Sequence, residues 1–354
     1  MEKRLKYAMV GGGASSFIGP VHRMAVRLDD LADLIDGCYS SKDDWRAMIE
    51  RVKGKADFVA VCTPNDSHYP IAKAALEAGM DVMCEKPLSL TVAEAEELGR
   101  IAGEGGRMLA IPFTYTGAPM VKLARDLVAR GELGAICKAV IEYQQGSFRK
   151  IDFSKPLDKR NAWKMDPARS GPSCVVADIG VHAFTLAEYI TGLETESILA
   201  DLSSFAPGNK LDDDASILMR FSGGAKASIV TSKIATGEDN GVRVRIYGDK
   251  ASLFWEQESP ERLVIKYATG PDRTYRRGAK YLAAEWPATA AARIPAGHPE
   301  GFIEAFANIY REFCAAVRDR KPHDFPGVRE GVRAMRFVEA AVASSAADGV
   351  WRRI

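Results

Sequence analysis

The sequence predicts an α/β protein: an N-terminal doubly wound parallel sheet, followed by an α+β domain with a mostly antiparallel open sheet. Three observations predict it. A short apolar run at 7–10 stops at Gly11-Gly12-Gly13 and leads into a helical pattern. Over the first third of the chain, apolar strand-like runs alternate with amphipathic helices, the β-α-β-α-β order of a parallel sheet. From 197 to 267, short runs follow one another with turn signals such as Ser222-Gly-Gly and Gly248-Asp, as hairpins do.

The 354 residues suffice for two domains. A hydrophobic content of 47% with 27% charged residues is ordinary for a globular protein. The net charge of +1 gives no electrostatic reason to expect nucleic acid or an anionic membrane as partner. No apolar run approaches the roughly 20 residues that span a bilayer. Cysteines at 38, 62, 84, 137, 174 and 314 make no C-x-x-C pair, which points to reduced thiols in a cytoplasmic enzyme. Neither cysteines nor histidines show metal-ligand spacing, so no metal is expected.

The elements follow in order. The run at 7–10 reads as a buried parallel strand ending in a tight glycine turn, and 14–26 reads as the next helix. Gly11 and Gly13 permit the turn and the close approach of a pyrophosphate, and the helix start at Ser16, Phe17 and Ile18 offers free N–H groups. Ser16 stands where the third glycine of G-x-G-x-x-G belongs, and Gly19 comes later. A second strand ends in Thr63-Pro64-Asn65, a small polar turn suited to a nicotinamide ribose. His68 opens a helix to 78, with Gly79 at its C′ position. A third strand, 81–84, ends at Glu85-Lys86-Pro87. Thr91-x-x-Glu94 is a capping box opening the next helix, and 108–113 reads as one more strand. The strand ends at 63–65, 85–87 and 113–115 fall where doubly wound sheets bind ligands.

In the second domain 120–129 reads as a helix and 136–144 as a strand. Strands are predicted at 197–205, 214–221, 225–232, 243–247, 252–257 and 263–267, and helices at 301–317 and 328–346. The expected division is a dinucleotide-binding domain at 1–117, a substrate and oligomerisation domain at 118–327, and a C-terminal helix at 328–354 packing back on the first domain. A cleft between the domains is the expected ligand site.

The chain resembles the Gfo/Idh/MocA family of oxidoreductases. The matching residues are Gly11-x-Gly13, Cys62-Thr-Pro-Asn65, Glu85-Lys-Pro87 and Asp178-x-Gly-x-His182, with 163–171 and 297–306 similar to one branch. The resemblance implies a Rossmann domain and a C-terminal domain whose open sheet forms a homo-dimer or homo-tetramer. It implies NAD or NADP, with NAD taken first, and a sugar or polyol substrate. It also implies a further helix and strand after Ser40 that this chain lacks, on the order of 20 residues. The strand ending near Ser40 then runs directly into a helix with Ser41 as N-cap. The acid that binds a ribose 2′-OH is at neither Ser40 nor Ser41.

Oxidising a secondary alcohol moves a hydride to a nicotinamide and a proton to a base. His182 has a suitable intrinsic pKa, Asp178 can orient it or bind a hydroxyl, and Lys86 can stabilise charge on the reacting oxygen. In the family the matching residues carry these roles, which makes Lys86, Asp178 and His182 the catalytic candidates. Gly11, Gly13, Ser16, Phe17, Ile18, Ser40, Thr63, Pro64, Asn65, His68, Glu85 and Lys86 are the cofactor-side candidates. On the substrate side, Tyr115 and Trp163 can stack on a sugar face or serve the core. Lys164 can bind hydroxyls or stay solvated, and His298 can touch substrate or cap a helix. His22 reads as a helix-surface residue. The expected function is an NAD(P)-dependent dehydrogenase of a sugar or cyclic polyol. A cofactor-retaining epimerase or lyase and a non-catalytic nucleotide or sugar sensor are the alternatives.

Overall fold

Strands that are buried on both faces are predominantly apolar, and this governs the first sheet. In a computed structural model, which describes residues 4–40, 42–286 and 291–354, the chain forms two units. The first consists of Met1–Thr114, Asp158–Gly171 and Phe306–Met335. Its elements are β1 (Leu5–Gly11), α1 (Ile18–Leu28), β2 (Ala32–Cys38), α2 (Trp45–Val52), β3 (Phe58–Cys62), α3 (His68–Glu77), β4 (Asp81–Cys84), α4 (Val92–Glu104) and β5 (Leu109–Ala110). The sheet order is β2-β1-β3-β4-β5, and every pairing is parallel. All residues of β3 and β4 are buried, whereas β2 is exposed along its middle, as an edge strand must be.

The first-sheet expectations hold with local differences. Only Leu109 and Ala110 of the run at 108–113 pair as strand. Helix α1 starts at Ile18, later than the predicted 14. Helix α3 ends with Gly79 at φ +83°, and Thr91 and Glu94 form the predicted capping box at α4. Ser41 lies outside the described residues. The cap of α2 is Asp44, whose carboxylate accepts from the Arg46 and Ala47 N–H groups; an acid complements the helix dipole as well as the hydrogen bond. No strand separates β2 from α2 among the described residues, so β2 is the sheet edge.

The second unit consists of Tyr115–Leu157, Pro172–Ala305 and Arg336–Ile354. Its first elements are α5 (Pro119–Ala129) and β6 (Ile136–Gln144). The short helices α6 (Lys159–Ala162) and α7 (Pro167–Ser170) belong to the first unit. A π-helix (Val176–Gly180) leads without a break into α8 (Val181–Thr191). Then come β7 (Thr195–Ser203), β8 (Asp214–Phe221), β9 (Lys226–Ser232), β10 (Gly241–Gly248), β11 (Ala251–Glu256), β12 (Arg262–Tyr267), β13 (Arg273–Arg276) and α9 (Lys280–Glu285). Helices α10 (Phe302–Asp319) and α11 (Val328–Ser345) and the short β14 (Arg352–Arg353) complete the chain.

The second sheet has nine strands in the order β13-β12-β11-β10-β6-β9-β8-β7-β14. Six of the predicted strands form a run of antiparallel neighbours on either side of β6, as read from the turns. The sequence pattern missed β13, β14 and one feature of pairing: β6 and β9 run parallel, Lys138 opposite Lys226 through Gln144 opposite Ser232. Along β8 buried and exposed residues alternate, so one face lines a core. Helix α8 covers that core, packing on α5 and on β6, β9 and β10, and is buried almost all round. Among the described residues no helix is long and apolar enough to cross a membrane.

Candidate active site

In the first unit the candidate site begins at the glycine turn. Gly11, at φ +84°, lies against the carbonyl of Cys62, and a Cβ there would overlap it. Gly12 and Gly19 meet backbone to backbone, and a Cβ on Gly12 would sit 2.8 Å from the Gly19 Cα. Gly19 therefore does the work of the third glycine, close packing of helix on strand, three residues after the position where the motif spacing sought it. Ser16 instead closes the turn: its N–H donates to the Gly13 carbonyl at 2.9 Å, and its Oγ accepts from the Gly19 N–H at 3.2 Å. Phe17 precedes α1 and is exposed. A cradle of small residues at a helix N-terminus fits a pyrophosphate, in both shape and dipole.

The β3 end adds a second polar point. Thr63 Oγ1 is buried and has no hydrogen-bond partner among the described residues. An orphaned buried hydroxyl costs about 1–3 kcal/mol, so a ligand group that satisfies it gains by doing so. Pro64 leads into a 3-10 turn, and Asn65 is tethered through its Nδ2 to the Ser170 carbonyl at 3.0 Å. After β2, Asp43 accepts the N–H groups of Tyr39 and Ser40 at 2.7 and 2.8 Å, and Asp36 is paired with Arg51. Ser40 is exposed.

Two buried histidines hold the segment that carries Lys86. His22 is fully buried in α1, contrary to its reading as a surface residue. The apolar environment is admissible because both ring nitrogens are satisfied: Nδ1 meets the Tyr310 hydroxyl at 2.6 Å and Nε2 meets Glu85 Oε1 at 2.9 Å. The other Glu85 oxygen accepts the Lys86 N–H at 3.1 Å. His68 bridges the carbonyls of Pro87, at 2.7 Å, and Thr63, at 2.8 Å. Burial pulls its pKa below the usual histidine value, and the two carbonyls only partly oppose this. The Lys86-Pro87 peptide is cis, and Lys86 itself is half-buried. Trp163 and Lys164 are also in this unit, with the Lys164 ammonium 5.7 Å from the Trp163 ring centre.

The second unit carries Tyr115, Asp178, His182 and His298. Asp178 lies in the π-helix and His182 in the first turn of α8. Asp212 fixes the start of this run. Its buried carboxylate accepts from the Cys174, Val175 and Val176 N–H groups, at 2.9 to 3.2 Å, and from Ser173 Oγ at 2.8 Å. Burial pushes the Asp212 pKa up, against the pull of these donors. Asp178 is bonded to the ammonium of Lys233, one residue beyond β9, at 2.5 Å.

Around the His182 ring stand Tyr115, edge-on at 5.2 Å between centres, and Tyr143 at 6.1 Å. Their hydroxyls close a ring with Asn240: Tyr143 donates to Asn240 Oδ1 at 2.8 Å, and Asn240 Nδ2 donates to Tyr115 at 3.2 Å. Tyr115 and Tyr143 are 2.7 Å apart. Since the Tyr143 proton is used on Asn240, Tyr115 donates the third bond. Burial pushes Tyr115 up to about 12 and Tyr143 well above its usual value, so both stay protonated donors. Tyr115 thus serves the wall behind the imidazole. His298 is exposed, with Nδ1 facing the Pro295 carbonyl at 3.3 Å.

Lys233, Asp212, Tyr143, Asn240 and Tyr310 were not singled out in the sequence, and His22 was read there as a surface residue. Two of them left a trace there: a lysine directly after the strand Lys226–Ser232, and the acidic run Asp212-Asp213-Asp214 at the start of the strand before it. All six cysteines are free thiols, and among the described residues no cluster of His, Cys, Asp and Glu could hold a metal.

A family model described as "Oxidoreductase family, NAD-binding Rossmann fold" matches residues 5–113, and one described as "GFO/IDH/MocA C-terminal domain" matches 121–254. The chain is 31% identical to the uncharacterized oxidoreductase YfiI of Bacillus subtilis, with 99% of this chain and 97% of the relative covered. It is 25% identical to inositol 2-dehydrogenase of Rhizobium meliloti, with 97% of each covered. Among solved structures, an inositol dehydrogenase homolog from Azotobacter vinelandii in complex with NAD+ is 32% identical and superposes with a TM-score of 0.93, over 99% of this chain and 98% of that one. The same homolog with NADH and myo-inositol gives a TM-score of 0.91 over the same shares.

Proposed function

Because the chain belongs to the Gfo/Idh/MocA family of NAD-binding oxidoreductases, we propose that it is a dehydrogenase of a cyclic polyol or sugar, oxidising one ring hydroxyl to the ketone or catalysing the reverse. The observation that carries this reading is the Asp178–His182 run: a histidine in the first turn of a buried helix, its start pinned by Asp212, its partner carboxylate held by a buried lysine. The A. vinelandii homolog, solved with NADH and myo-inositol, supports the substrate class.

Bound NAD supplies the hydride acceptor. The glycine turn and the α1 start hold its pyrophosphate, and Thr63 takes a polar group of the nicotinamide half. His182 accepts the hydroxyl proton as the alcohol is oxidised and returns it in the reduction. Asp178 accepts a hydrogen bond from a substrate hydroxyl and so orients the ring. Lys86 donates to the reacting oxygen and stabilises the negative charge that develops there. Glu85 and His68 act through the backbone, by fixing the segment on which Lys86 sits.

The test is a fluorescence titration with NADH and NADPH in parallel, followed by turnover on myo-inositol and a panel of sugars. Micromolar binding of a nicotinamide cofactor and steady reduction of NAD are expected. Lys86→Ala and His182→Ala should each lower kcat by about 10²–10⁴-fold, with cofactor binding retained. Cofactor binding with no net reduction on any substrate, or full activity in both variants, would overturn the reading.

A further inference from the structure

We propose that Lys233 is a positioning residue: its buried ammonium keeps the Asp178 carboxylate ionised and fixed in direction, four residues before His182, so that the acid can engage a substrate hydroxyl. The inference rests on the dehydrogenase reading above for its purpose, but not for its electrostatics.

The pair is asymmetric. The Lys233 side chain is 2% exposed and that of Asp178 is 24% exposed, so the cation faces the interior and the anion faces out. The Lys233 main chain is pinned on both sides, and its side chain is buried. Its N–H donates to the Asp213 carbonyl at 2.8 Å, its carbonyl accepts from the Phe148 N–H at 2.9 Å, and its ammonium lies 5.1 Å from the Phe148 ring centre. Burial acts to lower its pKa, but Asp178 foremost, with Cys174 and Asp212, outweighs this and raises it. Lys233 is therefore charged throughout the working pH range.

The surroundings leave the pairing specific. Facing Lys233 are Asp178 and Cys174 from the π-helix run and Asp212 from the loop before β8. Asp212 is already committed to three backbone N–H groups and a serine hydroxyl. On the other side, Tyr115 and Tyr143 feel the Asp178 charge and stay neutral, and His182 follows one turn later. Lys233 is thus a cation bonded directly to Asp178.

Stability alone is a poor reason to keep such a pair. Apolar residues of similar volume commonly replace a buried ion pair without loss. A buried lysine beneath a half-open carboxylate instead makes a preorganised anion, one that needs no reorganisation when substrate arrives. The oppositely charged neighbour also favours the ionised acid at low pH.

The experiment uses the full chain. The Asp178 carboxyl is titrated by 13C NMR, its signal identified by its loss in Asp178→Asn, in the unaltered protein and in Lys233→Met, with Lys233→Gln as a second variant should the first not fold. The carboxyl titration should move up by about one pH unit or more when the ammonium is removed. An unmoved titration would overturn the proposal. With NAD and myo-inositol, Lys233→Met should lower kcat/KM on the order of 10²-fold and raise the acid limb of its pH profile. NADH affinity should stay unchanged, Lys233→Arg should restore part of the rate, and Lys233→Met should add nothing in an Asp178→Asn background. Loss of activity with an unmoved profile, additive with Asp178→Asn, would reduce Lys233 to a structural role. If the unaltered protein turns over no polyol or sugar, the dehydrogenase reading fails, and the carboxyl titration still decides whether Lys233 holds Asp178.

Discussion

Both ring nitrogens of His68 face carbonyl oxygens, yet a neutral imidazole has a single N–H to donate. Only the imidazolium satisfies both, and burial opposes the imidazolium; burial prevails and the pKa is lowered. The unfolded chain therefore takes up a proton near pH 6.5 that the folded chain refuses until lower pH. The contribution of His68 to stability is complete above that value and is lost as the pH falls below it. Urea midpoints at pH 7.5 and 5.5 should separate more widely in the unaltered protein than in His68→Gln. His323 runs the other way, because its bond to Asp319 raises its pKa, but its side chain is a quarter exposed and solvent weakens the effect. Subtracting the two proteins removes its share. Little of this was legible beforehand. Lys86, Asp178 and His182 stood out as residue types in a recognisable order, whereas Lys233 meets Asp178 from 55 positions away and Tyr310 meets His22 from 288. Such contacts are made by the fold, and no local pattern encodes them.

At the scale of elements, α1 meets the glycine turn of the candidate cofactor site backbone to backbone. Gly12 and Gly19 touch through their main chains, so one added methyl has nowhere to go without moving the helix. Gly19→Ala should cost about 1–3 kcal/mol of stability, by the overpacking penalty, and should weaken NADH binding far more than substitution of the exposed Phe17. A urea melt beside a fluorescence titration separates the two effects. The strands of both sheets were legible where apolar residues recur with period two or run unbroken, as in β3, β4 and β8. They were not legible in β13, whose Arg-Thr-Tyr-Arg has no apolar face, nor in β14, only two residues long. The π-helix at Asp178 was invisible because its residues continue the apolar pattern of α8, and periodicity cannot tell a wider turn from an ordinary one. The parallel meeting of β6 and β9 was equally hidden, since pairing between distant strands leaves no local mark.

At the scale of the whole molecule, neither unit is a continuous stretch of chain. The first gathers Phe306–Met335 to the N-terminal sheet. From that late segment come Tyr310, which satisfies His22, Phe306, edge-on to His22 at 4.7 Å, and Phe313, edge-on to Phe58 at 5.2 Å. Each buried aromatic is worth roughly 1.5–3 kcal/mol. A fragment ending at Thr114 keeps every strand of the five-stranded sheet but loses all three, together with the covering of Phe58 and His22. Expressed alone, it should melt without a cooperative transition, whereas adding residues 306–335 in trans or by a linker should restore one, read by near-ultraviolet circular dichroism.

This arrangement also puts the molecule's assembly on a clock. Ribosomes deliver about 5–20 residues per second, so roughly 10–40 s separate the emergence of Thr114 from that of Phe306. Throughout that interval the five strands are already synthesised while the aromatic residues that roof them are still untranslated. The N-terminal sheet is thus obliged to wait as an incomplete nascent structure with an uncovered apolar flank. It is the translation of residues 306–335, rather than that of the five strands, that brings the nucleotide-binding unit into being.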